Sequence, residues 1–213
     1  MTYAELKSSI QDYLQNTETT FVADLPTIIQ QAEERILKLV RLPVFRKNVQ
    51  GNLTTGNQYL GTPSDFMDTF SIATITSDTY NYLIRTDVSF IREAYPTTTT
   101  TGAPKHYSLF DNNTFIVGPT PNADYTAELH YFYKPASITA GAESGTTWLA
   151  TNATNVLLYG CLVEGYTYMK GEADLMNLYN QRYQEALGRL KVLGEGRNTS
   201  DTYKEGTFQV PVT

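Results

Sequence analysis

Few residues in this chain of 213 have the types that carry chemistry. The two histidines, His106 and His130, each stand beside a tyrosine in a run that reads as a strand. Metal ligation asks for a His-x-x-x-His or Cys-x-x-Cys neighbour, which neither has, so both read as strand residues and no metal site is expected. The one cysteine, Cys161, falls in the middle of an apolar helical run with no histidine placed to activate it. A small buried hydrophobe is therefore expected there, not a nucleophile, and a lone cysteine fits a reducing compartment. The pair Glu33 and Glu34 falls on a helix face that reads as solvated, where surface charge accounts for it without general acid/base work. No glycine-rich phosphate loop has mononucleotide or dinucleotide spacing. Neither a catalytic residue nor a cofactor is expected, and the protein reads as a non-enzyme. Glycosylation sequons begin at Asn52, Asn112, Asn152 and Asn198. In an Asn/Thr-rich chain without an export signal they read as chance matches.

The remaining residues of interest are aromatic. Trp148 stands just before the last helical pair and reads as a staple on its first turn, with an interface role as the alternative. Tyr131, Phe132 and Tyr133 are compatible with a stacking platform for single-stranded nucleic acid, but no Arg or Lys is interleaved with them and a core strand fits better. Sixteen tyrosines with only 18% charged residues suit a surface covered by neighbours. A tyrosine-rich β-region explains the same composition, and both readings stay open. The formal net charge is −6 and the basic residues are scattered, which disfavours a grip on DNA or RNA phosphates. The first residues, MTYAELKSSIQDYL, lack a basic segment followed by an apolar one, and no window of about eighteen apolar residues occurs. Neither export nor membrane spanning is expected.

The strongest core signal lies in residues 146–193. In its first half Val156, Tyr159, Val163, Tyr166 and Met169 recur at helical spacing, with Gly160, Cys161 and Gly165 among them. Two glycines within one helix suggest that another backbone comes close. After the short join Lys170-Gly171-Glu172, Leu175, Leu178, Tyr179, Tyr183, Ala186, Leu187, Leu190 and Leu193 form a second stripe, so the two helices must run antiparallel. At the other end of the chain, Thr2 and Glu5 are spaced as a capping box before a stripe of Leu6, Ile10, Tyr13 and Leu14. Asp24 is expected to cap a second helix with Pro26 in its first turn and a stripe of Ile28, Ile29, Ala32, Ile36, Leu39 and Val40.

Between these pairs the period changes to short Thr-, Tyr- and Ile-rich runs punctuated by turn residues such as Ser77-Asp78. Residues 86–94 read as a short helix. A hairpin is expected at 105–117 around Asp111-Asn112-Asn113, and a long strand at 125–133. The expected fold class is α+β: a four-helix bundle formed by the N- and C-terminal helix pairs, with an inserted antiparallel β-module. The expected domains are a discontinuous bundle of residues 1–43 and 146–193, a β-module of 44–145 and an extended C-terminal tail of 194–213. In that tail Phe208, Val210 and Val212 alternate as in a strand that adds to another chain's sheet edge. Together with Trp148 they are the candidate interface residues.

Taken as a whole, the order of blocks is distinctive. An N-terminal helix pair carries EERILKLVRLPVFR, and a β-region carries PSDF and APKHYSLFDNNTFIVGPTPNADYTAELHYFYKP. After them comes TWLATNATNVLLYGCLVEGYTYMKGEADLMNLYNQRYQEALGRL. This arrangement resembles the tail adaptor, or head-to-tail connector, proteins of short-tailed bacteriophages over residues 1–195. The resemblance implies a virion structural protein of the neck and tail, assembled in the host cytoplasm and without enzymatic activity. It further implies a dodecameric ring of copies that sits below the portal protein and receives the tail nozzle or fibre proteins. Genomic DNA would pass through its channel during ejection without specific binding. A carbohydrate-binding module of a tail fibre or spike assembly is the alternative suggested by the Tyr/Asn/Thr-rich middle.

Overall fold

The computed structural model describes residues 1–199. The chain divides into two compact units, one made of residues 1–43 with those from 136 onward, the other of residues 44–135.

In the first unit, α1 (Tyr3–Leu14) starts from the expected capping box, with the Thr2 and Glu5 side chains each accepting from the other residue's backbone N–H. Its first N–H groups also find partners, since Tyr3 and Ala4 donate to the carbonyls of Gly145 and Glu143. Helix α2 (Thr19–Leu39) begins earlier than expected and carries Pro26 in its interior. The reason is local: Gln15 turns left-handed, and the Asn16 side chain accepts from the Glu18 N–H at 2.9 Å, so the reversal is complete before Asp24 is reached.

The segment from residue 136 onward adds a short helix, α4 (Trp148–Asn152), whose N-cap Thr147 accepts from the Ala150 N–H. There follow α5 (Thr154–Tyr168) and α6 (Ala173–Thr199). Gly171 permits the tight reversal between them, because a Cβ there would run into the Tyr166 ring. Helix α6 continues past Gly194, where an extended tail was expected to begin. Gly194 is buried, and a Cβ on it would stand 3.0 Å from Leu42 and 3.3 Å from the Arg41 carbonyl, so this glycine marks a close approach. Residues 200–213 lie outside the described residues.

The second unit holds β1 (Arg46–Leu53), β2 (Tyr59–Gly61), β3 (Phe66–Thr76), β4 (Thr79–Tyr82), β5 (Ile84–Arg85), α3 (Val88–Ala94), β6 (Thr101–Gly102), β7 (His106–Asp111), β8 (Thr114–Gly118), β9 (Thr120–Pro121) and β10 (Tyr125–Tyr133). One sheet has the order β1-β10-β3-β4, a second β2-β8-β7-β5, and β6 pairs with β9. Leu53, Ile72, Leu129 and Tyr131 from the first sheet share a core with Tyr107, Phe115 and Val117 from the second. Ser77 and Asp78 both adopt positive φ, as a two-residue hairpin turn whose twist matches its strands requires. The β7–β8 hairpin is closed by Asp111, whose carboxylate accepts from the Asn113 N–H at 2.8 Å. Helix α3 rests on this hairpin through Ile91, with the Tyr95 ring lying where a side chain on Gly118 would stand.

The expected four-helix bundle with an inserted antiparallel β-module is not the architecture found, although the α+β class is. Six α-helices occur among the described residues. Helix α5 is buried around most of its circumference, through Val156, Leu157, Leu158, Cys161, Leu162 and Val163, and α1, α2 and α6 each pack on it. A helix apolar on all sides is a central element, not one of four equal amphipathic members. The strands also depart from the expectation, because β5 with β7 and β6 with β9 run parallel.

Candidate assembly surfaces

The residue types that could act chemically are not brought together. His106 lies in β7, where its Nδ1 is 3.0 Å from the Tyr95 hydroxyl, while His130 lies in β10 with its ring 4.8 Å from that of Phe70. Burial pushes the Cys161 thiol far above its usual range, with the carboxylates of Glu33 and Glu164 adding to the shift. Among the described residues no group of three or more His, Cys, Asp or Glu side chains could hold a metal ion.

Glu33, expected on a solvated face, is buried in α2 and accepts from the Ile138 N–H at 3.1 Å. Desolvation raises its carboxyl pKa, partly offset by the Ser137 hydroxyl and that N–H. The segment bearing Ile138 lies against α2, so one acid of the pair faces protein. Its neighbour Glu34 does lie on the surface as expected, and stands 3.3 Å from Lys38.

Tyr131, Phe132 and Tyr133 do not form a stacking platform. Tyr131 is in the core, with its hydroxyl donating to Asp65 at 2.8 Å. Burial and that carboxylate push its pKa up to about 12. The Asp65 carboxyl is lowered in turn, chiefly by its bond to Lys47. Phe132 points to the opposite face, under the Arg46 guanidinium.

What the structure leaves uncovered is apolar and aromatic. In the β-unit, all four residues of the edge strand β4 are exposed, and Tyr80, Tyr82 and Ile84 recur at every second position. Tyr59 and Phe110 meet edge to face at 5.4 Å, with Arg92 donating to the Tyr59 hydroxyl.

In the helical unit, exposed apolar residues collect at two places. The first is the end where the α1–α2 and α5–α6 reversals meet. Leu14 there lies against Gly165, Phe21 packs on Tyr168, and the Asn16 amide donates to the Met169 sulfur. Around them Tyr13, Val22, Leu175 and Leu178 remain exposed, and Tyr166 and Tyr179 stack edge to face at 5.6 Å. Tyr168 is exposed too, and its hydroxyl donates to Asp24 at 2.7 Å, which raises its pKa. The second place is the tip where Leu42, just after α2, meets Gly194 of α6. Leu39, Val192 and Leu193 are exposed there, Val192 at 69%.

Length explains the tip. Helix α5 has 15 residues and α6 has 27, about 22 Å against about 40 Å, so α6 overhangs its support. Leu193, read from the sequence as part of one buried stripe with Leu175, Leu178, Tyr183, Leu187 and Leu190, therefore emerges at the surface; Leu175 and Leu178, beside the end of α5, are exposed as well, while Tyr183, Leu187 and Leu190 are buried. Helical periodicity alone carries no signal of where the supporting helix ends.

Of the sequence-derived interface residues, Trp148 is half-buried in the first turn of α4, where its carbonyl accepts from the Asn152 amide. Phe208, Val210 and Val212 lie outside the described residues. No helix among the described residues is long and apolar enough to cross a membrane. The sequence matches the family model described as SU10 adaptor protein over residues 1–209. None of the curated proteins matches it.

Proposed function

The chain belongs to the SU10 adaptor protein family, and from that premise we propose that it works as a ring-forming joint of the phage neck. The observation that carries the reading is the family match, which runs through both units of the chain. It supports a structural role as a phage tail adaptor. In the finer reading, copies close into a dodecameric ring beneath the portal protein, receive the tail nozzle or fibre proteins and leave a channel for genome ejection.

Physical features support this reading. Exposed Tyr and Leu side chains on both units suit protein contacts, since aromatic residues add apolar area with a polar tip. Heterologous contacts between copies close into a ring when their rotation allows it. A chain of net charge −6 repels phosphate, which favours passage of genomic DNA over specific binding. The joint has no catalytic duty in this reading. Trp148 contributes to contacts with neighbours, and Phe208, Val210 and Val212 reach a neighbouring copy or the portal.

Mixing the purified protein with a portal ring from the same phage tests the proposal. A stable complex containing many copies is expected, and absence of binding overturns the reading. Deletion of the residues after Gly196 tests the tail separately, because unchanged assembly removes Phe208, Val210 and Val212 from the account.

A further inference from the structure

The two uncovered patches of the helical unit are opposite in charge. At the reversal end, Asp12, Glu18, Asp24, Glu172 and Asp174 face one base, Lys170. At the tip shared by α2 and α6, among the residues whose side chains are described, four bases, Lys38, Arg41, Arg189 and Lys191, stand with two acids, Glu34 and Glu185. Those acids are engaged within their own helices, Glu34 with Lys38 at 3.3 Å and Glu185 with Arg189 at 2.6 Å. Each patch also presents exposed apolar side chains, Tyr13, Leu175 and Leu178 at the acidic end against Leu39, Val192 and Leu193 at the basic tip.

We propose that the acidic reversal end of one copy docks on the basic α2–α6 tip of the next. The occupant of each patch is thus a second copy of this chain. The proposal rests on the ring reading above and names the surfaces that make the ring. Pairing like ends would set acid against acid or base against base, so charge selects the head-to-tail arrangement, which is the kind that propagates around a ring. The apolar residues supply contact area, and the charges select the register.

Charge reversal on the full chain tests this. One variant carries Asp12→Lys, Glu172→Lys and Asp174→Lys, making both of its patches basic. The other carries Lys38→Glu and Lys191→Glu, making both acidic. All five residues are exposed, and unchanged circular dichroism and melting establish that the variants fold.

Assembly is followed by mass photometry on the portal ring over a protein titration. Each variant alone should need about tenfold more protein than wild type for half-assembly. An equimolar mixture should recover wild-type behaviour, because an all-basic copy then alternates with an all-acidic one. Raising salt should weaken wild-type assembly.

Variants that assemble alone as well as wild type, or a mixture that fails to recover, overturn the head-to-tail contact while leaving the ring reading intact. A defect confined to the Lys38→Glu, Lys191→Glu protein and not relieved by mixing assigns the tip to the portal instead, and likewise overturns the contact. Wild type that stays monomeric with and without the portal ring overturns both.

Discussion

Replacing Leu157 by Ala tests whether α5 is the helix on which the helical unit is built. Leu157 is fully buried, as are its neighbours Cys161 and Leu162 on α5. Truncation removes the transfer free energy of the lost carbons and leaves a cavity that a helix enclosed by α1, α2 and α6 cannot readily collapse. Such sites lose about 3–5 kcal/mol. That is a large share of a domain's usual stability of about 5–15 kcal/mol, and it lowers the melting temperature by about 6–20 °C in a chain of this size. Far-UV circular dichroism at 222 nm during denaturant and thermal unfolding reads mainly the helical unit. Leu178→Ala is the control, since Leu178 belongs to the same sequence stripe as Tyr183 and Leu187 but is 45% exposed, and its change should stay within about 0.5 kcal/mol. Equal losses for the two variants, or a loss below about 1 kcal/mol for Leu157→Ala, would refute the central position of α5.

Glu33→Gln tests the buried carboxyl of α2. A raised folded-state pKa means that the folded protein keeps this proton after the unfolded chain has released it. The contribution to stability is therefore full below the ordinary carboxylate range and is lost as pH rises through the raised value. The variant should flatten that fall and melt higher than wild type at neutral pH, measured as melting temperature across pH. Gly118→Ala places a Cβ 2.5 Å from the Tyr95 ring and should cost about 1–3 kcal/mol by pushing α3 off its hairpin, read by near-UV circular dichroism and unfolding. Cys161, fully buried with its thiol pKa raised, should resist a thiol reagent in the folded protein and react once it is unfolded.

Local signals were legible in the sequence where their cause is local. The Thr2–Glu5 capping box, the Ser77-Asp78 turn, the Asp111 hairpin and the buried positions Leu6, Ile10 and Leu14 all arise from nearest neighbours or from helical period. What was not legible depends on length and on distant partners. Tyr13 and Leu39 sit on the expected apolar stripes yet are exposed, while Leu14, Leu37 and Val40 beside them are buried, so spacing alone misplaced the edge of each buried face. The glycines of α5 do mark close approach, but by side chains: Gly160 faces Tyr183 and Ala32, and Gly165 faces Leu14. Glu33 looked solvated because the segment bearing Ile138, which covers it, is 105 residues away in sequence. The parallel pairings of β5 with β7 and β6 with β9 involve strands of two residues on at least one side, too short for any periodic pattern.

The candidate surfaces follow the same division. Trp148 could be singled out by type alone, and it is half-buried, whereas the acidic end and the basic tip emerge only once the reversals and the α2–α6 contact are known.

The mass of the complex formed when a portal ring meets excess protein tests the proposed joint most directly. The account expects the ring to gain a fixed, saturating mass equal to a whole number of copies, twelve if the ring is a dodecamer. A portal ring whose mass is unchanged, or one that accumulates protein without saturation, would contradict it.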